Sequence, residues 1–264
     1  MSTAPRKCHF VITGFGPFHG VPVNPSMLLV SRLEKEADTL LTGMGIQITR
    51  TLIFETSAEA VLQEIDSLYG QIIGTSNPRG VHMDGCHVVF LHLGVNYRGK
   101  KFHLEQCAYN DATFRVPDER GYQPQGLCII GDTGLVKEGI HEDSNSSACT
   151  PTKKETVHKF GKCFNTTLDL KEICSKLQEN DNAQPVCVSN DPGRFVCNFT
   201  YCLSLDRCRL WAESSQRSIG TTPPKYHSLF VHVPPLGVIP EDDQFSFVIE
   251  IMKAIQSQLI SPVD

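Results

Sequence analysis

No apolar run in this sequence approaches the roughly 20 residues that a bilayer-spanning helix needs, so a membrane protein is not expected. Lys and Arg nowhere form a block, and the formal net charge is -5, so neither nucleic acid nor an anionic membrane surface is expected as a partner. The apolar segment behind Arg6 and Lys7 is only a short strand that ends at Gly14, too short for a secretory signal peptide. No two cysteines stand in Cys-x-x-Cys spacing, which removes the usual signature of a zinc or dithiol redox centre. No metal or cofactor is expected, and no internal repeat is visible.

What is present is an ordinary globular composition, 40% hydrophobic and 20% charged over 264 residues, enough for a sizeable core. The eleven cysteines are an odd number in a long chain. That pattern fits free thiols in a reducing, cytoplasmic setting better than a disulfide framework. The sequons at Asn145, Asn165 and Asn198 are read as chance matches, since a glycan on Asn198 would crowd its neighbour Cys197.

Short β-branched or apolar runs alternate with helical periodicities. Strands are expected at Cys8 to Thr13, Ile46 to Phe54, Cys86 to Leu93, Pro185 to Ser189 and Ser228 to Val233. Helices are expected from Pro25 to about Lys35, from Ser57 to about Tyr69, from Leu168 to Gln178 and from Glu241 to Leu259. Phe102 to Arg115 reads as extended, and Gly70 to Asp84 and Val116 to Gln125 as loops. The order implies one α/β domain over 1–264, a three-layer sandwich with a largely parallel twisted sheet flanked by helices. The Ser-, Thr-, Lys- and Glu-rich stretch from Gly131 to Lys162 is expected to be a polar surface insertion.

The stretch Asp191 to Tyr201 stands out. Asp191 suits a helix N-cap and Pro192 the first helical position, with Phe195, Val196, Phe199 and Leu203 following at helical spacing. A strand runs directly into this turn, and in a parallel sheet such a junction faces the ligand crevice. Cys197 would then feel the positive end of the helix dipole, which favours thiolate. Most cysteines are simply small buried apolar residues; position alone distinguishes this one. A nucleophilic thiol needs a base, and both His92 and His232 sit late in apolar strands. The residue pattern does not choose between them. Glu105, alternating with apolar neighbours, would suit as the acceptor that orients the base.

Several motifs occur in order: Gly14-Phe15-Gly16-Pro17-Phe18 with Asn24-Pro25, Leu104-Glu105-Gln106, Phe114-Arg115-Val116-Pro117-Asp118-Glu119, Gly193-Arg194-Phe195-Val196-Cys197-Asn198 and Phe230-Val231-His232-Val233-Pro234. Together they resemble pyroglutamyl peptidase type I, the pyrrolidone-carboxylate peptidase family of cytosolic cysteine peptidases. The resemblance spans about His9 to Leu259. It implies a triad of Cys197 as nucleophile, His232 as base and Glu105 as orienter, with His92 structural. It also implies release of an N-terminal pyroglutamate from peptides through a thioester, with Arg115 polarising the carbonyl or positioning the substrate. Bacterial members tend to form homo-oligomers, so a homo-oligomer is one option here and its blockage by the polar insertion the other.

A pyroglutamyl ring has no amino cation, so its pocket needs apolar walls plus a donor and an acceptor for the lactam. Phe15, Phe18 and Asn24 are the residues expected to supply them. The chain departs from the family pattern at Pro192, at Asn96-Tyr97-Arg98-Gly99 and in the insertion, which bears on peptide-side specificity and subunit contacts. Two alternatives are a nucleoside-phosphorylase-like small-molecule enzyme and a catalytically silent binding relative.

Overall fold

The computed structural model describes residues 7–41, 43–73, 85–131, 159–180, 183–215 and 222–260. Six strands form the main sheet in the order β2-β1-β3-β8-β4-β7: β1 (Cys8–Phe15), β2 (Ile46–Phe54), β3 (His87–Val95), β4 (Phe102–Glu105), β7 (Val186–Ser189) and β8 (Lys225–Val233). The four strands β2, β1, β3 and β8 run parallel. The pair β4 and β7 run parallel to each other but opposite to β8. A separate two-stranded ribbon joins β5 (Cys107–Tyr109) to β6 (Cys163–Asn165).

Alternation along the central strands builds a core on each face. Phe10 and Ile12 of β1, Leu91 and Leu93 of β3, and Leu229 and Val231 of β8 pack against α1 (Pro25–Leu40), α3 (Leu170–Gln178) and α5 (Glu241–Ile260). Val11 and Phe15, Val88 and Phe90, and Phe230 face α2 (Ala58–Ile73) and α4 (Val196–Ser215) on the other side. Strands covered on both faces are apolar throughout, which is why they read as continuous runs. No helix among the described residues is long and apolar enough to cross a membrane.

The structure amends some sequence expectations. The stretch expected to be extended from Phe102 breaks after Glu105, where the chain leaves the six-stranded sheet for the ribbon. Helix α2 continues to Ile73, into the segment expected as loop; residues 74–84 lie outside the described ones. The expected insertion at 131–162 lies outside them too, apart from 131 and 159–162. The helix start predicted at Asp191 and Pro192 falls instead at Val196. Gly193 has φ +79, a left-handed conformation that no helical residue can hold, so the chain turns once more before the helix begins.

Candidate active site

That extra turn is built by side chains. Asp191 Oδ1 accepts from the Gly193 N–H at 3.1 Å and from Arg194 Nη1 at 2.9 Å. Arg194 also reaches Asp111 Oδ2 at 3.1 Å and lies over the Tyr109 ring at 4.0 Å. The turn is thereby fastened to the β5 segment. Cys197 follows as the second residue of α4, where its thiol meets the positive end of the helix.

The strand-end rule expected to place this cysteine does not do so, because β7 runs against the central strands. Helix α4 does it instead. It lies antiparallel along β8, with Ser204 Oγ at 2.8 Å from Ser228 Oγ low on the strand. Cys197, two turns earlier, therefore reaches the level of His232 at the carboxyl end of β8. Gly94 of β3 is the register partner of His232. A Cβ on Gly94 would stand 2.6 Å from Phe230 Cζ and 3.3 Å from Cys197 Sγ, so only glycine leaves room for the thiol and the ring.

His232 and Glu105 meet across the antiparallel β4–β8 pairing, with Nδ1 and Oε1 2.7 Å apart and both residues buried. That bond fixes the tautomer and leaves the other ring nitrogen for Cys197, which is close enough to act on the ring's charge. Burial acts to lower the imidazole's pKa, but Cys197 and Glu105 outweigh it and raise it to about 10. A thiol, an imidazole and a carboxylate brought together in this way have the means to attack an acyl carbon and return a proton to a leaving amine. Glu105 Oε2 has no hydrogen-bond partner among the described residues.

His92, the competing base, is fully buried. Thr13 Oγ1 contacts its Nδ1 and Ser204 Oγ its Nε2, each at 2.7 Å. With both nitrogens engaged, and burial pushing its pKa down to about 3, it is a neutral structural group.

The residues expected to line the substrate pocket divide. Phe15 is 2% exposed and packs on Phe54 and Phe230. Phe18 is half-buried on the loop after β1, bridged to Val21. Asn24 is buried: Nδ2 donates to Gly16 O at 3.0 Å, and Oδ1 accepts from the Ser26 N–H at 3.1 Å. It shapes the Phe18 loop and caps α1. Arg115 is exposed, one residue after Phe114, whose ring packs on Phe195 at 4.8 Å beside the start of α4. Asp118 anchors that loop by accepting from the N–H groups of Ala58, Arg120 and Tyr122 at 2.8, 3.0 and 2.9 Å.

Sequence reasoning missed Gly94 and the supporting role of Asn198. The Asn198 amide accepts from the Tyr109 N–H at 2.8 Å and donates to Tyr109 O and Asp111 O at 2.9 Å. Its place beside Cys197 in a shared motif was the available signal. Nothing local marks Gly94, because its need arises from a neighbouring strand and helix.

No family model matches the chain. Individual proteins do. Pyroglutamyl-peptidase 1 of Rattus norvegicus is 25% identical over 260 residues, covering 98% of this chain and 93% of that protein. Its counterpart in Homo sapiens is 27% identical over 233 residues, 88% and 81% of the two chains. Pyrrolidone-carboxylate peptidase of Lactobacillus johnsonii is 29% identical over 191 residues, 71% of this chain and 65% of that one. The fold is that of pyrrolidone carboxyl peptidase from Pyrococcus furiosus, at TM-score 0.65 and 19% identity over 95% of this chain and 99% of that one. The enzyme of Fervidobacterium islandicum gives TM-score 0.64 at 23% identity with the same coverage. Along nearly its whole length the chain is similar to pyroglutamyl-peptidase 1 and pyrrolidone-carboxylate peptidase, and it shares its fold with solved structures of pyrrolidone carboxyl peptidase.

Proposed function

We propose that this protein is a cysteine peptidase that hydrolyses an N-terminal pyroglutamate from peptides, with Cys197 as nucleophile, His232 as acid and base and Glu105 as orienter. The observation that carries the reading is the contact of these three side chains, drawn from α4, β8 and β4, at the mouth of the sheet.

The chemistry follows from the geometry. The Cys197 thiolate adds to the pyroglutamyl carbonyl carbon, forming a C–S bond and a tetrahedral oxyanion. The oxyanion collapses as His232 protonates the departing peptide amine, which leaves a pyroglutamyl thioester. His232, now neutral, takes a proton from water as its oxygen attacks the thioester. Collapse expels the thiolate and 5-oxoproline, and the proton on His232 restores the ion pair. Arg115, on the loop that Asp118 anchors, polarises the carbonyl or positions the substrate. Phe18 supplies an apolar wall of the ring pocket, and Phe15 supports Phe230 behind it. No disulfide joins the described cysteines, which supports a reducing, cytoplasmic setting.

The test is selectivity between amides of pyroglutamate and proline that share a fluorescent leaving group. Proline lacks the lactam carbonyl and brings a cation that an apolar pocket leaves unpaired, costing about 1–3 kcal/mol or more. The expected result is a kcat/KM at least tenfold higher for the pyroglutamyl amide. Equal values would contradict the reading.

A further inference from the structure

Tyr201 lies one helical turn after Cys197, fully buried, and its hydroxyl donates to the backbone carbonyl of Glu105 at 2.8 Å. Glu105 is the last residue of β4, where the chain departs for the ribbon: the next N–H, that of Gln106, bonds Ser189 O at 2.7 Å. Glu105 is still in register with Phe230 of β8 and Ser189 of β7, and the Tyr201 hydroxyl adds a side-chain donor at this strand end that fixes where the peptide, and hence the carboxylate, points. The Tyr201 ring also packs on Phe230 at 5.9 Å, and Phe230 packs on His232 at 4.8 Å. One side chain therefore shares the nucleophile's helix, holds the orienter's backbone and backs the ring that lies against the base.

We infer that Tyr201 is a positioning residue for catalysis, its hydroxyl holding Glu105 at the angle that keeps His232 paired with Cys197. The inference rests on the proposed roles of those three residues. Its energetic weight comes from pre-organisation, because a carboxylate free to swing loses its bond to the imidazole for part of the time.

Tyr201→Phe removes the oxygen and keeps the ring. Turnover of the pyroglutamyl amide is read together with the rate of Cys197 alkylation by iodoacetamide against pH, which involves no substrate. Tyr201→Phe is expected to lower kcat by about 5- to 20-fold with KM changed less than about twofold, the scale of one buried hydrogen bond. The alkylation profile should shift to higher pH, as it should further in Glu105→Gln. A Tyr201→Phe protein with the parent's kcat and alkylation profile, or one that no longer folds, would make the hydroxyl purely structural and overturn the inference. If Glu105→Gln also left the profile unchanged, the failure would lie with the proposed triad instead.

Discussion

Glu105 is a carboxylate with no exposure to water, bonded through one oxygen to His232. A buried charge of this kind is tolerated only when paired, and the imidazolium is its partner. Glu105, together with Cys197, sustains the raised pKa of His232. Glu105→Gln keeps the size, removes the charge and can present an N–H where the ring needs an acceptor. It is expected to lower kcat by about 10²–10⁴-fold with a smaller change in KM. The rate of Cys197 alkylation at neutral pH should fall as well. Parent-like turnover with an unchanged thiol profile would reduce the triad to a dyad.

At the level of elements, the site exists because α4 lies antiparallel along β8 and in contact with the end of β3. Gly94 is the point of closest approach. Gly94→Ala would push a methyl group into Phe230 and toward Cys197 Sγ, where contacts of 2.6 and 3.3 Å leave no room. Overpacking of this kind costs about 1–3 kcal/mol in stability, and displacement of the thiol should lower kcat more than it raises KM. Thermal unfolding and steady-state kinetics on the one variant check both; an unchanged kcat would show that α4 can shift without consequence. The elements themselves were largely legible in the sequence. The apolar runs of β1, β3 and β8 and the periodicity of α5 lie where pattern puts them, because strands covered on both faces and one-sided helices leave strong local signals. The beginning of α4 did not, since Asp191-Pro192 imitates a helix cap while Gly193 takes a positive φ. The reversed direction of β4 and β7 was not legible either: pairing direction depends on partners distant in sequence. The choice of His232 over His92 came from family resemblance, and hydrogen bonds from Thr13 and Ser204 to His92 supply its physical reason.

Across the whole molecule, buried histidines set the response to acid. His92 and His227 are held neutral, their pKa values pushed down to about 3 by burial and, for His227, also by His87 and Lys225. An unfolded chain binds protons at these positions from about pH 6.5 downward, while the native state does not. Their contribution to stability is therefore present above that pH and is lost as pH falls toward 3. Each contributes a slope of about 1.4 kcal/mol per pH unit in that window. His232 has the opposite sign. Its raised pKa adds stability that is complete below about 6.5 and is lost as pH climbs toward about 10, so it does not drive the acid loss. The thermal midpoint should fall between pH 7 and pH 5, and less steeply in His227→Asn; a flat midpoint would mean that these rings accept protons in the folded state. The catalytic claim is tested most directly on the intact protein, by acid-quenching it during turnover of a pyroglutamyl amide and mapping the acyl group by mass spectrometry. One pyroglutamyl thioester should be found on the peptide that carries Cys197, and Cys197→Ala should neither acylate nor release amine. Sustained amine release by Cys197→Ala, or an acyl group on any other residue, would contradict the account.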